Sequence, residues 1–167
     1  MCERISLSDW PSVICLQKHI ARYNFALPYC ENVNVADVGS GLGWGSSLLA
    51  NVAKSVTGIE VDSESVNRSK SEFSRQIESG SLSFICSSWM DYQYTTFPFD
   101  TIVAFEVFEH IGIPMEDIIR HSYDQLRYNG ILVASLPIMQ GDNKYHLAGN
   151  MTYRQCREAF VQAVDWG

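Results

Sequence analysis

Basic side chains are scarce in this sequence: 12 Lys and Arg stand against 19 Asp and Glu among 167 residues, a formal net charge of −7. That is the wrong sign for binding driven by counterion release from phosphates, and the basic residues are scattered, so nucleic acid is not the expected partner. A neutral or cationic ligand fits better. Long apolar runs are missing too. None reaches the ~18 residues of a membrane-spanning helix, and the opening MCERISLSDWPSVICLQKHI lacks the apolar core of a signal peptide. Cys2, Cys15, Cys30, Cys86 and Cys156 are odd in number, far apart and never spaced C-x-x-C. This argues against a zinc ribbon or a disulfide framework and for a reducing, cytoplasmic setting. With 11 Gly and 5 Pro the chain is neither collagenous nor a low-complexity linker, and 46% hydrophobic residues suffice for one globular domain over residues 1–167.

What is present is alternation. Short runs rich in Val, Ile and Phe at 32–38, 55–61, 82–86, 99–105 and 130–136 are separated by longer amphipathic stretches. Such runs suit strands buried on both faces, and the pattern predicts an α/β fold with a doubly wound, mostly parallel sheet. Crossover helices are expected at 46–53, 63–79 and 116–128. Asp62 or Ser63 can cap the second, Pro114 suits entry to the third, and Asn129-Gly130 reads as its left-handed stop. A further amphipathic helix is expected over about 11–28, with Val13, Leu16, Ile20, Tyr23 and Ala26 or Leu27 on one stripe. A Gly/Asn-bearing loop at 140–149 leads to a last helix at about 152–164.

The densest signal is Asp37-Val-Gly39-Ser-Gly41-Leu-Gly43-Trp-Gly45, which follows the first strand and opens a helix. Glycines there permit positive φ and let a ligand lie against bare backbone, beside the free N–H groups of the helix start. Spacing then discriminates among ligands. A G-x-G-x-x-G fingerprint would need glycine at Trp44 or Ser46, and a Walker loop would need a lysine where none occurs between Lys18 and Lys54. Neither pattern is met.

The acidic-x-G-x-G-x-G segment resembles motif I of class I S-adenosylmethionine-dependent methyltransferases of type 11/23. The likeness continues through Val56-Thr-Gly-Ile-Glu60-Val-Asp62, through Phe99 to His110, and through Asn129-Gly130-Ile-Leu-Val-Ala-Ser, covering about residues 15–150. It implies a Rossmann-like fold and S-adenosyl-L-methionine as cofactor. By the same resemblance Gly39, Ser40, Gly41 and Gly43 lie against the cofactor, Glu106 is a further contact, and Asp37 either meets the methionine part or braces the loop. Glu60, at the end of the second strand, is placed to accept two ribose hydroxyls. After the third strand the family's usual acid is replaced by Cys86-Ser87-Ser88-Trp89. Ser88 is then expected to accept one adenine hydrogen bond, and Trp89 to wall or stack on the ring or else to serve as core.

Methyl transfer chiefly requires alignment of an acceptor with the S–CH₃ bond, followed by removal of a proton. Glu109 and His110 fall at the carboxyl edge of the fourth strand, where His110 is either a general base or an organiser of its loop. Glu106, Glu109 and His110 also resemble the E-x-x-E-H cluster that binds a divalent ion in certain small-RNA and quinone-precursor methyltransferases, with His146 as a further ligand. Relatives without metal share that spacing, so the metal stays open. His19, Arg22 and Tyr23 share one face of the first helix, either covering the substrate or as exposed polarity. The expected activity is in-line methyl transfer to a small-molecule or saccharide-like acceptor. A non-catalytic cofactor-binding or partner subunit and an NAD-dependent oxidoreductase are the alternatives. Two further strands usual in the family have no room after Val164. The fold is therefore expected to be C-terminally short, its fifth strand an edge open to homo-oligomerisation.

Overall fold

A computed structural model describes residues 13–94, 98–137 and 152–164. Five strands form one parallel sheet: β1 (Asn34–Val38), β2 (Ser55–Glu60), β3 (Leu82–Cys86), β4 (Phe99–Phe105) and β5 (Leu126–Ser135). Their order is β3-β2-β1-β4-β5. Successive strands therefore wind outward from β1 in one direction and then, from β4, in the other. The point of reversal lies between β1 and β4, where an open α/β sheet forms a crevice beyond its carboxyl ends.

Period-2 alternation divides the core into two layers. Val35, Val56, Phe84, Val103 and Phe105 pack on one face with Tyr23, Ala26 and Leu49, from helices α1 (Val13–Cys30) and α2 (Trp44–Leu49). Ala36, Val38, Ile59, Ile102 and Ala104 pack on the other with Met115, Ile118 and Ile119 of α5 (Met115–Gln125) and Ala159 of α6 (Tyr153–Val164). Every residue of β4 is buried, Asp100 and Thr101 included, as a central strand covered on both faces requires.

Several sequence boundaries shift: the helix expected at 46–53 runs from Trp44 to Leu49, and the first strand starts at Asn34. The helix expected at 63–79 is two pieces, α3 (Ser63–Glu72) and α4 (Ser74–Glu78), interrupted at Phe73. Phe73 turns onto Phe84, and Gln76 exchanges two hydrogen bonds with Ser47 of α2 at 2.6 and 3.0 Å. The N-cap of α3 is Asp62, which accepts from the Ser65 N–H. The last crossover helix ends at Gln125, and Asn129 is not its stop. Leu126 already pairs with Phe99, Ile131 pairs with Thr101, and the residues between bulge out with Asn129 at φ 62°. The Arg127 guanidinium fastens that bulge to Asp100 at 2.6 Å, while Asp100 also accepts the Asn34 N–H at 2.7 Å. The first helix runs past the expected boundary to Cys30 and holds Pro28 in its last turn.

Among the described residues β5 pairs with β4 alone, and no helix is long and apolar enough to cross a membrane. The predicted 140–149 loop lies outside the described residues.

Gly45 is fixed by packing. A Cβ at Gly45 would overlap the Tyr23 ring, whereas one at Gly80 would meet open space. Gly45→Ala should therefore lower unfolding stability in urea by about 1–3 kcal/mol through overpacking. Gly80→Ala should cost only about 1 kcal/mol, from its left-handed backbone (φ 79°). Equal losses would show that the Tyr23 ring can move aside.

Candidate functional site

The loop from Gly39 to Gly43 leaves β1 at the point of reversal and turns back into α2. Gly39, Gly41 and Gly43 all have positive φ, at 68°, 54° and 78°. A Cβ on Gly39 would strike Val107 and one on Gly43 would strike Phe84, but at Gly41 no atom lies within 4 Å. Gly41 therefore presents bare backbone to open space at the crevice. The loop is fastened to the next strand by Gly39 and Ser40 N–H groups donating to the Ile59 carbonyl at 2.8 and 3.2 Å. Ser40 is buried, and its hydroxyl has no hydrogen-bond partner.

Glu60 closes the loop from the end of β2. One carboxylate oxygen accepts the Gly41 N–H and the other the Asp62 N–H, both at 2.9 Å. Each oxygen keeps a second lone pair for a ligand hydroxyl. Beyond β3, Ser88 donates to Asp91 at 2.7 Å and accepts the Asp91 N–H at 3.2 Å, so a tight turn sets a carboxylate beside Ser88.

Asp37 sits under the loop rather than in its open mouth. The Tyr23 hydroxyl lies 3.1 and 3.2 Å from its two oxygens, and the Ser46 hydroxyl donates to one of them at 2.6 Å. Burial pushes the Asp37 carboxyl from 3.8 to about 7; the hydrogen bonds from Ser46 and Tyr23 oppose the rise and the Glu60 charge adds to it. Burial and the neighbouring Asp37 also raise the Tyr23 phenol and push the Cys30 thiol to about 12.

One residue earlier on α1, Arg22 pairs with Glu106 at 3.1 Å. Glu106 follows β4 directly in a left-handed conformation, φ 56°, and accepts the Ser135 hydroxyl at 2.8 Å. The next turn carries Glu109, whose side chain is buried, and the half-exposed His110, with Nε2 and Oε1 3.8 Å apart, an ion-pair separation rather than a hydrogen bond.

A family profile described as a methyltransferase domain matches residues 36–134, from β1 through β5. The chain belongs to the class I S-adenosylmethionine-dependent methyltransferases. A probable S-adenosylmethionine-dependent methyltransferase of Mycobacterium tuberculosis is 26% identical over 121 residues, 72% of this chain and 42% of the relative. A counterpart in Mycolicibacterium smegmatis is 25% identical over 122 residues, 72% of this chain and 44% of its own length. The chain thus spans less than half the length of the curated relatives it matches. The fold is also that of the [4+2]-cyclase SpnF, at TM-score 0.74 and 21% identity over 93% of this chain and 61% of that one. The N-methyltransferase NodS of Bradyrhizobium japonicum, in complex with S-adenosyl-l-homocysteine, aligns at TM-score 0.63 and 23% identity over 77% of this chain and 63% of its own.

The family assignment sets aside the nicotinamide oxidoreductase reading. Within this chain the structure brings Gly39, Ser40, Gly41, Gly43, Glu60 and Glu106 to the carboxyl edge of the sheet and sets Ser88 on its β3 side. It gives two residues other places. Trp89 is buried in the α5 layer, its indole N–H donating to Ser122 at 3.0 Å and its ring against Tyr92 and His121, so it packs the core and does not wall the crevice. Asp37, with no exposed surface, takes the bracing role. The E-x-x-E-H residues diverge, since Glu106 turns to Arg22 and Ser135 while Glu109 stays beside His110. Among the described residues no three His, Cys, Asp or Glu side chains gather as a metal would need, and His146 lies outside them.

Sequence reasoning missed Trp44 and Gly45 as site elements. Trp44 packs edge-on to Tyr23 and His19, forming the α1 side of the loop. The signal was available in Tyr23, whose place on the apolar stripe of α1 put a hydroxyl inside a core where a buried acid needed a donor.

The raised Asp37 carboxyl has a pH consequence. Between pH about 4 and about 7 the folded protein holds a proton that the unfolded chain releases, so stability falls as pH rises through that window and levels off above it. Melting curves from pH 5 to 8 should show the wild type losing ground to Asp37→Asn, which cannot ionise. Parallel profiles would refute the buried-acid assignment.

Proposed function

We propose that this domain binds S-adenosylmethionine at the carboxyl edge of the sheet and carries out in-line methyl transfer to a small-molecule or saccharide-like acceptor. The observation that carries the reading is Glu60, held by two backbone N–H groups beside the half-buried Gly41, whose Cα faces open space. That arrangement suits a ribose diol on the outer lone pairs of the carboxylate and a ligand chain along the glycines. The fit extends to charge, because the carboxylates of Glu60 and Glu106 suit a ligand bearing sulfonium and ammonium charges. When bound, the cofactor supplies an electrophilic methyl group.

The chain's own residues do the rest. Gly39, Ser40, Gly41 and Gly43 give the close approach, and Ser88 with Asp91 offers polar contacts at the β3 side for the adenine amino group. His110 takes the acceptor's proton, and the Glu109 carboxylate stabilises the imidazolium that results. α1 covers the crevice through Arg22 and Tyr23. A second copy pairs along the edge of β5, which has no partner strand among the described residues and so is a site for strand addition. The free thiols Cys30, Cys86 and Cys156 suit a reducing cytoplasm.

Titration calorimetry with S-adenosylhomocysteine tests the cofactor reading. The wild type should bind it, NADH should not compete, and Glu60→Gln should weaken binding by roughly ten- to a hundred-fold, the worth of hydrogen bonds to a charged acceptor. Binding unaffected by Glu60→Gln would overturn the assignment. Tryptophan fluorescence offers a second check, because Trp44 borders the loop and Trp89 is buried away from it. Trp44→Phe should remove most of the ligand-induced change and Trp89→Phe should leave it; the reverse would return Trp89 to the site.

A further inference from the structure

Asp37 and Glu60 differ in the kind of donor that holds them. Glu60 is held by two backbone N–H groups, which can only donate and so favour the ionised carboxylate. Asp37 is held by hydroxyls alone, from Tyr23 at 3.1 and 3.2 Å and from Ser46 at 2.6 Å. A hydroxyl donates to a carboxylate and equally accepts from a carboxylic acid, so this shell satisfies either protonation state without moving a heavy atom. The choice between the two states is left to charge. Among the described residues no cation pairs with Asp37. On α1, Tyr23 and Cys30 face it as neutral groups, raised by burial and by Asp37 itself, while Arg22 is paired with Glu106 beyond β4 and His19 packs on Trp44. α2 carries no titratable residue, and β2 contributes the Glu60 carboxylate, whose charge holds the Asp37 proton more tightly. The charge of one group in the crevice is therefore already felt at Asp37.

Resting on the cofactor reading above, we propose that Asp37 tells the methyl donor from its spent product by charge, giving up its proton when S-adenosylmethionine binds and keeping it when S-adenosylhomocysteine binds. The two ligands share the adenosine and the amino-acid group and differ by one methyl group and one positive charge at sulfur. A positive charge brought to the crevice acts opposite to Glu60 and favours the ionised acid, and in a dry layer that attraction is little screened. A neutral thioether supplies no such bias. The coupling is reciprocal, so ionised Asp37 in turn strengthens binding of the charged ligand. Burial has brought the carboxyl to about 7, where a modest bias changes its occupancy. Below that pH the free protein carries the proton and binding of the charged ligand must expel it. Affinity for S-adenosylmethionine therefore rises with pH up to about 7 and then levels off, while affinity for S-adenosylhomocysteine stays flat.

Calorimetric titration in two buffers of different ionisation enthalpy counts the protons released by each ligand. At pH about 6.5, S-adenosylmethionine should release roughly half a proton or more per site and S-adenosylhomocysteine close to none. Between pH about 5.5 and about 7.5 the affinity for S-adenosylmethionine should rise roughly five-fold or more, against less than about two-fold for S-adenosylhomocysteine. Asp37→Asn should abolish both differences. Ser46→Ala keeps the acid but removes a donor that favours its ionised form, so it should move the proton release to higher pH; this variant decides the matter if Asp37→Asn does not fold. Equal proton counts for the two ligands, release that persists in Asp37→Asn because another group such as His110 supplies it, or a Ser46→Ala profile that does not move would each overturn the proposal and leave the cofactor reading standing. If the wild type binds neither ligand, both fail together.

Discussion

The buried carboxylate of Asp37 is the constraint on which the site's architecture depends. It arises near the end of a central strand, where alternation sends it into the α1 layer, and an ion there is costly unless it is hydrogen-bonded. Its donors come from two elements. Ser46 belongs to α2 and fixes where that helix starts, which sets the length of the glycine loop. Tyr23 belongs to α1 and fixes how that helix crosses the sheet. Gly45 must lack a side chain because the Tyr23 ring passes directly over it. One acid thereby locates the loop, the helix after it and the helix above it.

Glu60 performs a similar task on the exposed side of the loop, with a different outcome. Its backbone partners come from two segments, the glycine loop and the start of α3, so it is a positioned carboxylate before any ligand arrives. Preorganisation of this kind spares the ligand the cost of ordering the group that receives it. The contrast between the two acids follows from depth alone: Asp37 has its lone pairs taken up by protein donors in a dry layer, and Glu60 retains some facing solvent.

Much of this was legible in the residues. The strands at 82–86 and 99–105 match their observed limits, and the glycine spacing separated the family from dinucleotide and Walker loops. These are local signals, carried by composition and interval. What was not legible depended on long-range contact. Trp89 is an aromatic residue following a strand, and only its partner Ser122, far along the chain on α5, decides that it turns inward. Phe73 interrupts a helix whose periodicity runs on without a break, because Phe84 lies within reach. Asn129 does adopt the left-handed conformation that its type suggests, but in a bulge held by Asp100, not at a helix end.

The strand order also constrains how the chain acquires its structure. β1 pairs on one side with residues 55–59 and on the other with residues 101–104. Parallel neighbours cannot be joined by a tight turn, and distant pairing is slow because a long loop must close before any contact rewards it. During synthesis, then, the central strand stays an open edge until residues 101–104 have emerged. The arrival of β4 both seals that edge and carries Glu106 to Arg22, so the crevice is assembled in the same event that completes the centre of the sheet.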